Sequence, residues 1–329
     1  MKRTTIGGQA LMEGVMMKNL NQYATAIRKP DGEIDVQVTD YESFSEKHHL
    51  NKIPIVRGVF NFIESMVIGV KTLTYSASFF EDEEEEQQKQ KKAVKEEGSA
   101  KEENVIKEEA PQKAASSMDN AMIIGTVIFS LAFSLLLFMV VPNLLTNFLR
   151  QYTKSELLFS CVEGVVRIAI FLLYVYLISF MEEIKRVYMY HGAEHKTINC
   201  LESGDALTPE NVLKHSRMHK RCGTSFMFLV MVISIFFFMF IRVDNKLLRL
   251  VYRLLLVPVI AGVSYEFIRL AGRSNNWFVN LLSKPGLWIQ KMTTREPDSE
   301  MAEVAIQSVE AVMDWRAYQE AMKNGEIED

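Results

Sequence analysis

Four long apolar runs punctuate an otherwise polar chain. Residues 120–149 carry no charge between Asp119 and Arg150 and place Pro142 near the far end. Leu157–Met181, Phe226–Ile241 and Leu247–Leu270 follow. At 1.5 Å per helical residue, about 20 apolar residues cross the roughly 30 Å hydrocarbon core of a bilayer. The pattern predicts a mainly α, polytopic helical membrane protein with four spans. In the second run Glu163 and Arg167 stand four residues apart, so a helix turns them to one face as a structural pair. Arg249, Arg253, Glu266 and Arg269 sit toward the ends of the fourth, where long side chains reach the interface.

Shorter patterns fill the polar parts. Residues 23–28 and 34–39 alternate around Lys29-Pro30-Asp31-Gly32 and predict a β-hairpin. Gly7-Gly8-Gln9-Ala10-Leu11-Met12-Glu13-Gly14-Val15-Met16-Met17 reads by itself as a turn followed by a core helix. From 54 to 80 the chain is apolar, with Arg57, Glu64 and Lys71 seven residues apart on one helix face. That predicts an interfacial or re-entrant helix rather than a fifth span. Residues 81–118, opening on Glu81-Asp-Glu-Glu-Glu-Glu, cannot bury apolar surface and are expected to be a disordered linker. A helix from Asp298-Ser299 to about Met322 closes the chain.

The predicted organisation is 1–50, a glycine-rich motif and hairpin; 51–80, the interfacial or re-entrant helix; 81–118, the linker; 119–271, the membrane domain with a histidine-rich loop at 182–224; and 272–329, a C-terminal segment and helix. Lys and Arg concentrate before span one and between spans two and three, which puts both termini and the long loop in the cytoplasm. A net charge of −4 excludes a generally basic nucleic-acid binder, and three cysteines are too few for a disulfide framework. The start of the chain lacks the apolar core of a signal peptide.

Candidate chemistry gathers between spans two and three. In His191-Gly-Ala-Glu194-His195, residues 191, 194 and 195 share one helical face, so two imidazoles can meet one ion beside a carboxylate. This is the spacing of the inverzincin motif, in which the histidines bind zinc and the glutamate is the general base. Span two is expected to run on as one helix into this motif, carrying His191 about 15 Å past the membrane edge. His219 or Cys222 could supply a third ligand to a divalent metal, zinc favoured. His48 and His49 read as solvated loop residues, and no phosphate-binding glycine loop or serine elbow occurs.

Gly7–Met17, Tyr190-His-Gly-Ala-Glu-His-Lys196, His219-Lys-Arg-Cys-Gly-Thr-Ser-Phe226 and Pro285-Gly-Leu-Trp-Ile-Gln-Lys-Met-Thr-Thr-Arg-Glu-Pro297 resemble the bacterial YqhQ-like family. These are membrane proteins described as predicted metal-dependent enzymes. The resemblance matches Glu13, His191, Glu194, His195, His219, Arg221 and Cys222, and departs at Lys220, where the family usually has proline. It implies a multi-pass protein of the bacterial cell membrane but brings no known reaction. Two functions are then expected to compete. One is a metal-dependent membrane hydrolase with Glu194 as base and the glycine-rich patch bearing Glu13 as a cover. The other is a non-catalytic scaffold or assembly factor whose hairpin, linker and C-terminal helix recruit a cytoplasmic partner. The bilayer is the one sure partner, no nucleic acid is expected, and a homo-oligomer is compatible with either function.

Overall fold

A computed structural model describes residues 4–96, 117–152, 155–241, 243, 245–274 and 276–325. The chain opens on an antiparallel meander, β1 (Gly7–Leu11), β2 (Gly14–Asn19), β3 (Gln22–Arg28) and β4 (Ile34–Asp40), ordered β1-β2-β3-β4. The predicted hairpin is β3–β4, with Arg28 opposite Ile34. The glycine-rich motif is not a turn and a helix but a second hairpin, tight enough that Leu11 pairs with Gly14 and Glu13 takes φ 49°. Its strands do not alternate in polarity because both faces are covered. Val15, Met17, Ala24 and Ala26 belong to the main core, while Leu11, Met16 and Tyr23 pack with Ile68 on the other side.

After α1 (Phe44–Lys47), capped by Ser43, comes the long helix α2 (Val56–Glu96). One side of α2 docks on the sheet: Glu64 accepts from Ser43 Oγ at 3.0 Å and from the Ser45 amide at 3.1 Å, and Tyr75 Oη donates to Asp35 at 2.8 Å. Ile63, Met66, Val67, Val70 and Leu73 form an exposed apolar stripe on another side. The helix continues to Glu96, into the segment the sequence reading assigns to the linker; residues 97–116 of that linker lie outside the described residues.

Next come α3 (Ser117–Leu135), a π-turn (Leu136–Val140), α4 (Val141–Asn147) and α5 (Glu156–Ile178). Contacts place Phe80–Phe171 in one compact unit, and Met1–Phe79 with Leu172–Asp329 in another. Within the first, the π-turn has an identifiable cause. Pro142 has no N–H for the carbonyl four residues back, at Phe138, and Arg167 Nε donates to that carbonyl at 2.9 Å. Arg167 also donates to Glu163 at 3.0 Å, so the predicted pair is buried and tied to the neighbouring helix.

The other unit adds α6 (Glu182–Ser203), α7 (Pro209–Lys214), α8 (Gly223–Phe238), α9 (Lys246–Arg273), α10 (Trp277–Thr293), α11 (Ser299–Val312) and α12 (Trp315–Asn324). Among the described residues, three helical stretches are long and apolar enough to cross a membrane: Gly125–Asn147, Leu157–Ile178 and Leu247–Arg273. The remaining predicted span corresponds to α8, whose 16 residues reach only about 24 Å. Two expectations about continuity fail. Span two does not run into the histidine motif, because the chain turns over 179–181 and extends at Met181 (ψ 132°) before α6 begins. The C-terminal helix starts at the predicted cap, with Asp298 Oδ1 accepting from Met301 N at 2.8 Å, but breaks at Met313, where Asp314 caps a separate α12.

Candidate metal centre

Helix α6 is the scaffold of the site. It packs on β1 and β2 beside α11, which covers β2 and β3, and residues 192–198 are all buried. Two glycines permit the close packing. A Cβ on Gly192 would collide with the backbone carbonyl of Arg295, and one on Gly8 of β1 would lie 2.8 Å from Glu194 Cγ. The extended segment after α10 runs along α6, with the Arg295 amide donating to the Tyr188 carbonyl at 2.8 Å. Lys196 joins the same segment to the loop beyond α6, meeting Glu296 at 2.9 Å and the carbonyls of Leu213 and His215 at 2.8 Å.

The imidazoles are oriented by peptide carbonyls. His191 Nδ1 lies 2.8 Å from the Thr293 carbonyl and His195 Nδ1 lies 2.6 Å from that of Arg217. A carbonyl only accepts, so each Nδ1 carries the hydrogen and the lone pair of each neutral ring sits on Nε2. His191 Nε2 lies 3.2 Å from Cys222 Sγ, whereas His195 Nε2 is buried without a hydrogen-bond partner. Cys222 is held at the start of α8, its sulfur accepting from the Thr224 amide at 3.4 Å. Among the described residues, His191, His195 and Cys222 form a group whose ligand atoms all lie within 4.8 Å of one another.

The electrostatics are those of a coupled cluster. Burial alone raises a thiol, but the two imidazoles outweigh it and hold Cys222 well below its ordinary value. Burial alone lowers His191; the Cys222 sulfur and the Glu194 carboxylate reverse this and push it up to about 9. Burial dominates at Glu194 and raises its carboxyl against the opposing pull of both imidazoles.

The donor set fits a borderline-soft divalent ion. Two neutral imidazoles with carbonyl-bonded outer nitrogens and one thiolate are the ligand chemistry of zinc, and the unpartnered His195 Nε2 gives a physical reason for a ligand there.

The other sequence candidates fall around this group rather than in it. The His219 ring stands 5.6 Å from that of His195, with Nε2 4.0 Å from Glu202. Its backbone is pinned from both sides by Gln290, whose Oε1 accepts from the His219 amide at 2.8 Å while Nε2 donates to the His219 carbonyl at 2.7 Å. Arg221 pairs with Glu202 and donates to the Thr4 carbonyl at 2.7 Å, tying the start of the chain to the loop before α8. Glu13 pairs with Arg186 and accepts from Tyr190 Oη at 3.3 Å, one helical turn before the cluster. It is Gly8, not Glu13, that the glycine-rich motif brings to Glu194. His215 is engaged with Asp205 at 2.9 Å. Sequence reasoning missed the orienting carbonyls of Thr293 and Arg217 and the role of Gln290. The motif Pro285–Pro297 was the available signal for Gln290 and Thr293.

Comparison with known proteins adds three findings. The model of the family described as "Protein of unknown function (DUF1385)" matches residues 53–315. The "Uncharacterized protein YqhQ" of Bacillus subtilis (strain 168) is 34% identical over 315 residues, covering 95% of this chain and 94% of that protein. No solved structure matches.

Proposed function

We propose that this chain, which belongs to the DUF1385 family, is a metal-dependent membrane hydrolase that holds a divalent ion, zinc favoured, on His191, His195 and Cys222. The observation that carries this reading is the convergence of two carbonyl-oriented imidazoles and a thiolate within 4.8 Å. When bound, such an ion supplies Lewis acidity toward a carbonyl or phosphoryl oxygen. The chain's own part is proton handling and water exclusion. Glu194 is the general base and then the acid: burial raises its carboxyl above the ordinary range, which suits a group that takes and returns a proton. Gly8 supplies space and a backbone amide at that carboxyl, so β1 is a wall of the site. His219, Arg221 and Glu13 are positioning residues in this reading.

The same proposal covers the membrane arrangement. The three long apolar helices support a membrane protein. We place the α8–α9 hairpin across or deep into the bilayer as the third and fourth spans, both termini and the 182–224 loop in the cytoplasm of a bacterial cell, and α2 at the interface on its exposed stripe. The test is metal analysis by mass spectrometry on protein purified without added metal, beside a His191→Ala, His195→Ala double variant. Zinc stoichiometric with the wild-type chain and absent from the variant supports the reading; a wild-type site that is empty and does not refill sinks it.

A second reading is favoured by the 3.2 Å contact between His191 Nε2 and Cys222 Sγ. It is a thiolate–imidazole pair working as a nucleophile without metal. Alkylation by iodoacetamide separates the two: a metal ligand is protected until the ion is chelated, whereas a nucleophile reacts equally before and after chelation.

A further inference from the structure

Helix α10, absent from the pattern of apolar runs, carries an outward face that the site does not use. Trp277, Phe278, Leu281, Leu282 and Trp288 are all exposed, with Trp277 at 72% and Trp288 at 56%. On a 3.6-residue wheel these side chains make one continuous band, flanked on the Trp edge by the exposed Lys284 and Lys291. The opposite side, with Val279, Gly286, Gln290 and Thr293, is buried, as is Ile289 where the band ends near the site. An apolar band with two indoles and a lysine edge is the composition of a helix lying at a bilayer surface. Indole prefers the headgroup level, and lysine stems follow the apolar phase while their amines reach phosphate.

Continuity with the membrane-crossing part fixes the occupant. Helix α9 is one of the three long apolar helices and ends at Arg273; α10 starts at Trp277. Three intervening residues extend at most about 10 Å. If α9 crosses the bilayer, the first turn of α10 therefore cannot leave the headgroup layer. We infer that α10 is an interfacial helix embedded along its Trp277–Trp288 band in the lipid headgroup region. Its other end is the site: Gln290 pins His219 and the Thr293 carbonyl orients His191. Membrane surface and donor cluster are thus joined by one rigid helix, whatever occupies the cluster.

The chain's three tryptophans make this directly measurable, because Trp315, the one outside α10, is buried at 7% exposure. The experiment uses the full chain in nanodiscs containing anionic lipid, comparing wild type with a Trp277→Phe, Trp288→Phe double variant; the difference spectrum is the emission of α10. A Trp315→Phe variant reads α10 directly and serves if the double variant folds poorly. The expected result is blue-shifted α10 emission, quenched about twofold by lipids brominated near the top of the acyl chain and spared by aqueous iodide, as for indoles of an aromatic belt. Quenching by iodide overturns the inference, since the band is then in water. Protection from both quenchers overturns it as well, because the band is then covered by protein, such as a second copy of the chain. Neither outcome depends on metal content, so this test and that of the metal site fail separately.

Discussion

Thr293 and Arg217 contribute only a peptide oxygen each to the candidate site, yet those oxygens decide which nitrogen of His191 and His195 is available. Glycines act at the same scale by what they lack. Gly8→Ala puts a methyl 2.8 Å from Glu194 Cγ and 2.9 Å from the Met16 carbonyl, so strand or carboxylate must move. The expected cost is about 1–3 kcal/mol of stability from overpacking, read by thermal unfolding, with reduced activity and retained metal. Titration offers a second check. His191 has its pKa pushed up to about 9 against an ordinary 6.5. Its contribution to stability is complete below 6.5 and is lost as pH rises through about 9. Cys222, held well below its ordinary 9.0 by the same contact, contributes with the opposite sign over that range. The two slopes should therefore oppose and leave wild-type unfolding curves nearly flat between 6.5 and 9, and a steep alkaline loss would show that Cys222 keeps its proton. The histidine–glutamate spacing was legible because three residues on one helical turn fix their own geometry. The carbonyls were not legible, because every residue has one and only tertiary packing chooses which is used.

Elements were legible where one face meets water or lipid, and hidden where both are covered. The β3–β4 hairpin has an exposed outer strand and a turn-forming Pro30-Asp31-Gly32, whereas β1 is glycine-rich and β2 buries Gly14–Met17 on both faces, so neither alternates and they read as a turn and a helix. Helix α10 went unseen because Lys284 and Pro285 interrupt its apolar run, though they lie on its exposed side. The Glu163–Arg167 pair was legible from spacing; its tie to the Phe138 carbonyl was not, since that depends on Pro142 in a different helix. Because the pair is buried, Arg167→Ala leaves a carboxylate without its counter-ion and is expected to cost about 3–5 kcal/mol. The Glu163→Gln, Arg167→Met double variant should recover most of that, as measured by detergent-induced unfolding.

For the molecule as a whole, the membrane class followed from the length of the apolar runs, but the number of crossings is a finer matter. Three helical stretches pass on length and composition, and α8 is short. With four crossings the two chain ends face the same compartment; with three they face opposite ones. A reporter fused after Gly325 that matures only in the cytoplasm should be active alongside the same reporter at the N-terminus, and activity at only one end would remove the four-span proposal. The scaffold alternative is tested at this scale too. Glu194→Gln should leave cellular abundance normal, and a fully preserved cellular role would favour recruitment over hydrolysis.

The site draws on β1 near the start of the chain, α6 and the Arg217–Cys222 stretch in its second half, and the last residue of α10 near its end. A ribosome therefore exposes Gly8 long before Glu194 exists, and both before Thr293 emerges to aim His191. If the cluster binds an ion as proposed, its capture in the proper geometry waits until Thr293 has emerged. A nascent or prematurely terminated chain ending between residues 222 and 293 carries all three donor side chains and still lacks the carbonyl that aims His191.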